Sequence, residues 1–137
     1  MNLQLPTASS VRSEALLSGD IGRDFRIYST QVGKSNLKQI IDRLLPDQGH
    51  IEVQRDVAGK EHAIHSHDCD ETLVILEGQL RFYWDSGEKI AGPGTAISLP
   101  AGMVHGSVAL EEGATYLIAF SGVDLSLHAR RADPANV

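Results

Sequence analysis

The stretch of residues 59–78 constrains the fold most, because two glycines bracket three potential metal ligands at fixed spacing. It reads Gly59-x5-His65-x-His67-x3-Glu71-x6-Gly78. Imidazole nitrogens and carboxylate oxygens are common protein ligands of divalent transition metals. Side chains two residues apart on a strand point to the same face, so we expect His65 and His67 to face one side together. The stretch therefore predicts a hairpin-like unit whose side chains converge on one metal ion.

A second stretch supplies a fourth potential ligand. It reads Gly94-x5-Pro100-x-Gly102-x2-His105. Pro100 fixes its own φ and ends the preceding strand, and Gly102 permits a sharp turn that other residues resist. We expect this turn to direct His105 back toward the first three ligands.

The hydrophobic pattern of residues 49–121 is that of short strands separated by turn signals. Such a series is typical of an antiparallel all-β barrel or sandwich. Turns are predicted at residues 58–60, 77–78, 85–87 and 91–94. Strands are predicted at residues 51–55, 72–76, 80–84, 96–99, 108–110 and 114–120.

The regions that flank the predicted barrel are different in character. Residues 1–48 are interpreted as an N-terminal extension with a short strand at 25–28 and an amphipathic helix that ends at Pro46. We expect the helix to pack on the outside of a sheet or at a subunit contact. Residues 122–137 are interpreted as a tail. The apolar stripe of the helix, at helical spacing, comprises Leu37, Ile40, Ile41, Leu44 and Leu45.

Composition excludes several classes of partner. The chain has 137 residues, enough for one domain, and its 18 acidic and 12 basic residues give a net charge of -6. This charge argues against binding to nucleic acid or to an anionic membrane surface. No apolar run reaches the ~18 residues of a membrane span, and residues 1–10 do not resemble a signal peptide. With a single cysteine, Cys69, as well, we expect a cytoplasmic protein.

Together, the two stretches resemble the two motifs of the cupin family. The first family motif, G-x5-H-x-H-x3,4-E-x6-G, matches residues 59–78 without a gap. The second, G-x5-P-x-G-x2-H-x3-N, matches residues 94–105, and Ala109 stands where the family has an asparagine that is not a metal ligand. The resemblance covers roughly residues 50–120. It implies an antiparallel jelly-roll β-barrel, also called a double-stranded β-helix.

The resemblance also implies a metal site and a range of functions. Relatives bind one divalent transition metal ion (Fe, Mn, Ni, Zn, Cu or Co) through three histidines and one glutamate, carried here onto His65, His67, Glu71 and His105. A homodimer and a small-molecule ligand or substrate are implied as well. Dioxygenases, isomerases, lyases and cyclases share this site. The alternatives are a non-catalytic binding or sensing module, favoured by a purely apolar cavity, and a structural metal.

Other side chains near the motifs receive less specific interpretations. By strand parity, His62 is expected on the face opposite His65, as a surface residue. Cys69 is interpreted as an incidental small residue. Asp68 and Asp70 are expected in a loop, where they could hold the second ring nitrogen of a ligand histidine. Parity leaves open whether the strand at 80–84 turns Leu80, Phe82 and Trp84 inward or Gln79, Arg81 and Tyr83.

Overall fold

Alternating apolar residues and closely spaced turns produce a β fold in the computed structural model, which describes residues 25–126. Within this range there are seven strands and one α-helix, in agreement with the predicted all-β jelly roll. The division into residues 1–48, 49–121 and 122–137 stays a prediction. The strands are β1 (Arg26–Ser29), β2 (Glu52–Asp56), β3 (Glu61–His65), β4 (Glu71–Trp84), β5 (Gly87–Ala91), β6 (Thr95–Leu99) and β7 (His105–Ala119), and the helix α1 (Leu37–Leu44) follows a 3-10 turn at Lys34–Asn36.

The centre of the fold is the long antiparallel pair of β4 and β7. The turn predicted at residues 77–78 is wrong, because β4 continues through Gly78 and only bends there. The strands predicted at 108–110 and 114–120 are one continuous strand, β7. Gly78 has φ +74 and Gly113 has φ +72, the left-handed region that favours glycine. A Cβ at Gly78 would overlap the carbonyl oxygen of Gly113. The two strands therefore bend together where their backbones approach most closely.

This bend divides the sheet into two layers. The first half of β4 pairs with β6 and with the second half of β7, and β1 and β2 extend this layer at its edges. The second half of β4 pairs with β5 and with the first half of β7, beside which β3 lies. The end of β3 and the start of β7 therefore lie side by side in the second layer.

The main core lies between the two layers and is mostly aliphatic. Leu80 and Phe82 are buried in it. Of the two faces that strand parity leaves open, the one with Leu80, Phe82 and Trp84 therefore points inward. On the outer face Arg81 pairs with Glu88, and the Tyr83 hydroxyl donates to Glu61. The buried members of this core are Leu73, Ile75, Leu80, Phe82, Ala91, Ile97, Leu99, Ala109, Ala114 and Tyr116.

Helix α1 covers the outside of the first layer. Ile40 and Leu44 are fully buried there, which places the helix on a sheet within this chain. Leu45 is 41% exposed and lies after the helix, because a residue before proline disfavours the helical conformation. No helix among residues 25–126 is long and apolar enough to cross a membrane. The second cluster consists of Ile40, Leu44, Val74, Ala96, Leu117, Ala119 and Leu125.

Candidate metal centre

The structure brings His65, His67 and His105 together as one group, called here the three-histidine cluster. One ligand nitrogen from each lies within 4.8 Å of the other two. His65 ends β3 and His105 begins β7, where the two residues pair directly across the strands. His67 faces the same cavity as His65, as expected, but it lies in the loop after β3, so strand alternation is not the reason. The three side chains converge because strand ends and a loop meet at one edge.

Two of the three imidazoles are oriented by backbone carbonyl groups. The His65 Nδ1 lies 2.5 Å from the carbonyl oxygen of Ala63, and the His105 Nδ1 lies 2.9 Å from that of Met103. A carbonyl oxygen only accepts hydrogen bonds, so each Nδ1 carries the hydrogen. Nε2 of both rings keeps its lone pair, which is the form that binds a metal.

Glu71, the predicted fourth ligand, is a buried carboxyl group at the same cavity. It is 6% exposed, and its Oε2 lies 3.6 Å from the His67 Nδ1. Burial raises the pKa of Glu71, although His67 and His65 oppose the shift. Among residues 25–126 it accepts no hydrogen bond. A buried carboxylate without a donor is costly unless a cation neutralises it, so these residues fit a metal ion.

Burial also acts on the innermost histidine of the cluster. His105 is 5% exposed. Burial lowers the pKa of His105, and the neighbouring His65 and His67 lower it further. A neutral imidazole is therefore favoured at this position, and only a neutral imidazole can donate its lone pair to a metal.

Two hydrogen bonds fasten the loop of the first motif to the turn of the second. The backbone N–H of Gly102 donates to the carbonyl oxygen of His67 at 2.8 Å. The backbone N–H of Ala101 donates to the Asp70 carboxylate at 2.8 Å. Asp70 thus supports the site through the backbone, whereas Asp68 and Cys69 are exposed.

The cluster and Glu71 line a cavity of about 200 Å³. This volume is below the range typical of pockets for drug-sized ligands. A wider depression of about 810 Å³ lies at the bend of β4, and none of the predicted ligands lines it. The lining combines the apolar side chains of Leu73, Leu80, Phe82, Ile118 and Phe120 with the polar ones of Glu52, Gln54, His62, Ser107 and Tyr116.

His62 lines this cavity, although strand parity predicts the opposite face. The register of β3 against β7 shifts between His62 and His65. A bulge inserts one residue and reverses the alternation beyond it, so both histidines reach the same cavity. The motif contains no signal for this bulge, because it arises from the pairing with β7.

A buried carboxylate behind His62 was not predicted either. Asp56 is 3% exposed, and its Oδ2 accepts hydrogen bonds from the Tyr116 hydroxyl at 2.8 Å and from the His62 Nε2 at 3.0 Å. The Gln54 amide donates to the other oxygen at 2.9 Å. The alternation along β2, which puts Glu52, Gln54 and Asp56 on one face, is the one sequence signal that could have indicated this group.

Comparison with known proteins identifies the family. The sequence model described as "Cupin domain" matches residues 49–120, more than half of the chain. The chain belongs to the cupin family. The match includes the three-histidine cluster and Glu71, and it confirms the resemblance carried by the two motifs. No curated protein matches the chain in sequence.

Solved structures resemble this cupin over part of its length. A DUF861 family protein from Thermotoga maritima is 18% identical, with 71% of this chain and 99% of that one covered and a TM-score of 0.50, which supports the fold alone. A protein of unknown function from Rhizobium leguminosarum bv. viciae 3841 is 28% identical, with 50% and 64% covered and a TM-score of 0.47. Bacillus subtilis oxalate decarboxylase, which has Mn(II) centres, is 27% identical, with 53% of this chain but only 20% of that one covered and a TM-score of 0.47.

Proposed function

We propose that this cupin binds one divalent transition metal ion and acts as a metal-dependent enzyme on a small organic molecule. The three-histidine cluster would hold the ion, with Glu71 as the fourth ligand. The observation that carries the proposal is the convergence of three ligand nitrogens within 4.8 Å at a cavity. Nitrogen and oxygen ligands without thiolate suit Fe, Mn, Ni, Zn, Cu or Co, so the donor set does not select one of them.

The bound metal would act as a Lewis acid or as an oxygen-activating centre. The protein contributes the rest of the site. Backbone carbonyls orient His65 and His105, and the loop that carries His67 is fastened to the turn at Gly102. The small cavity limits the ligand to a compact molecule. Dioxygenase, isomerase, lyase and cyclase chemistry all remain compatible with this arrangement.

The composition of the cavity wall supports an enzyme over the alternative, a non-catalytic binding or sensing module. A purely apolar wall would favour binding alone, and Leu80, Phe82 and Phe120 do make part of the lining apolar. The lining also includes Glu52 and His62, which can exchange protons with a ligand. The homodimer and the cytoplasmic location implied by the sequence stay predictions.

Elemental analysis of the purified protein tests the metal site. We expect about one transition metal ion per chain in the wild type and loss of most of it in His65→Ala and His105→Ala, because each change removes one ligand nitrogen. Glu71→Ala should lower the metal affinity by at least about tenfold. His50→Gln is the matched control, since His50 is exposed and is not among the residues that line the cavity.

Two results would contradict the proposal. One is a wild-type protein that stays free of metal after incubation with each of the six ions. The other is a metal content in His65→Ala and His105→Ala equal to that of His50→Gln. Circular dichroism of every variant shows whether a loss of metal reflects the missing ligand or a loss of folding.

A further inference from the structure

His62 is held at the cavity wall by only one of its two ring nitrogens. Its Nε2 lies 3.0 Å from the Asp56 Oδ2, while Nδ1 has no hydrogen-bond partner among residues 25–126. The His62 side chain is 32% exposed, in contrast to 2% for the Asp56 side chain. The two nitrogens leave the ring in nearly opposite directions, so Nδ1 faces away from Asp56 and is left for a ligand.

The hydrogen bonds around Asp56 determine which nitrogen of His62 carries the hydrogen. Burial by itself raises the pKa of Asp56, but the hydrogen bonds from Gln54, Tyr116 and His62 outweigh it and hold the pKa below its usual value. Asp56 is therefore a carboxylate, which only accepts hydrogen bonds. The His62 Nε2 must be the donor, and in the neutral ring the lone pair then lies on Nδ1.

A purely structural role explains this arrangement less well. Tyr116 and Gln54 already satisfy both oxygens of Asp56 from within the protein. Burial raises the pKa of Tyr116, so its hydroxyl stays a donor. His62 adds a third donor that reaches from the carboxylate to the cavity. A buried carboxylate behind a histidine orients the ring and stabilises its cation, as in the catalytic triads of hydrolases.

We propose that His62 is the proton-accepting residue of this cupin, positioned by Asp56, and that it acts on a small carbonyl compound with an acidic C–H bond. The inference rests on the proposed function, since it requires a ligand bound at the three-histidine cluster. A metal ion that binds the carbonyl oxygen makes the adjacent C–H bond more acidic. The cavity of about 200 Å³ suits a compact substrate.

The proposed step balances without an oxidant or a reductant. The C–H bond of the ligand breaks, its electron pair stays on the ligand, and the proton goes to the His62 Nδ1. The resulting imidazolium still donates from Nε2 to the Asp56 carboxylate. Return of the proton to the same or to a neighbouring atom of the ligand completes the exchange. The other ionisable groups of the cavity are Glu52 from β2, Glu71 from β4, Tyr116 from β7 and the three-histidine cluster.

The tautomer of His62 tests the inference without metal or substrate. We expect ¹⁵N-edited NMR of the metal-free protein to show neutral His62 with hydrogen on Nε2, the signal being assigned by its absence in His62→Gln. In Asp56→Asn the amide can donate to Nε2, so the tautomer with hydrogen on Nδ1 should become populated. Hydrogen on Nδ1 in the wild type would overturn the inference.

Hydrogen exchange in D₂O tests the proton transfer itself. The probes are pyruvate, 2-oxobutyrate, dihydroxyacetone and glyceraldehyde, each incubated with metal-loaded protein and followed by ¹H NMR. We expect the wild type to exchange the C–H next to the carbonyl of at least one probe. His62→Gln should slow this exchange about 10²-fold or more, the contribution typical of a general base. Glutamine can still donate to Asp56 but has no basic nitrogen.

The outcomes separate this inference from the proposed function. His50→Gln is the control and should exchange at the wild-type rate with the same metal content. A wild-type protein that carries metal but exchanges none of the probes, or an unchanged rate in His62→Gln, would overturn the role of His62 and leave the metal site standing. A protein without metal would refute the proposed function, while the tautomer measurement would still decide the orientation of His62.

Discussion

Single hydrogen bonds decide which ring nitrogen carries the hydrogen in three histidines at the cavity, His62, His65 and His105. The carbonyl oxygens of Ala63 and Met103 hold Nδ1 of two cluster residues and leave Nε2 for a metal. At His62 the Asp56 carboxylate holds Nε2 and leaves Nδ1. The same side chain therefore leaves Nε2 unbonded in the cluster and Nδ1 unbonded at His62, according to the acceptor that orients the ring.

At this scale we expect Asp70 to contribute to metal affinity without contacting the metal. Asp70→Ala removes the hydrogen bond from Ala101 that ties the His67 loop to the second motif. The loop then holds its ligand less firmly, and we expect the affinity to fall about tenfold, the lower end for residues that support metal ligands. Competition titration against a chelating dye measures the change.

The neighbouring carboxylate provides the control for this prediction. Asp68→Ala makes the same chemical change in the same loop, but Asp68 is exposed and makes no side-chain hydrogen bond within residues 25–126. Equal affinities of the two variants would contradict the proposed contribution of the Asp70 hydrogen bond.

The elements that position the site are the two long bent strands. Without the bend, β4 would continue in one layer, and the start of β7 would not return beside the end of β3. Gly78 is the last residue of the first motif, and it lies where β4 passes from the first layer to the second. The spacing from Glu71 to Gly78 is therefore the length of strand between a predicted ligand and the bend.

We expect Gly78→Ala to destabilise the fold much more than Gly59→Ala. Both glycines have positive φ, +74 and +84, which costs an alanine about 1–2 kcal/mol at each position. A Cβ at Gly78 would also overlap the backbone of Gly113, whereas a Cβ at Gly59 meets nothing within 4 Å. Urea unfolding of both variants measures the difference. Equal losses in free energy of unfolding would contradict the close approach of β4 and β7.

For the molecule as a whole, the buried core consists of residues other than the predicted metal ligands, although four of its members, Leu73, Leu80, Phe82 and Tyr116, also line the cavity. Ten buried residues fill the space between the layers, and helix α1 seals the outer face of the first layer through a second cluster. Burial of apolar surface is the dominant favourable contribution to folding. The ten core residues include none of the predicted metal ligands, so we expect the layers to stay packed without a metal.

We expect removal of the metal by a chelator to lower the melting temperature without unfolding the protein. Binding at a free metal concentration of 100 times Kd stabilises the folded state by about 2.7 kcal/mol. Thermal scans with and without metal, with circular dichroism at 25 °C, measure both effects. Loss of the β signal on chelation at 25 °C would instead support the structural role of the metal.

The sequence by itself determined the class of fold and the chemistry of the site. Alternating residues and turns are local properties of the chain, so strands at 51–55 and 96–99 and the helix near Leu37 were predictable. The motifs named four side chains of the right chemistry, and three of them now lie together with the fourth at the same cavity.

Only the tertiary structure decided how these parts face one another. The bend at Gly78 looks like a turn in the sequence, because glycine permits both and only the pairing with β7 distinguishes them. The bulge after His62 and the carboxylate of Asp56 behind it depend on contacts with a strand more than 40 residues away. Spacing along the chain therefore identified the predicted metal ligands that meet at the cavity, whereas the placement of His62 and Asp56 beside them depends on long-range pairing.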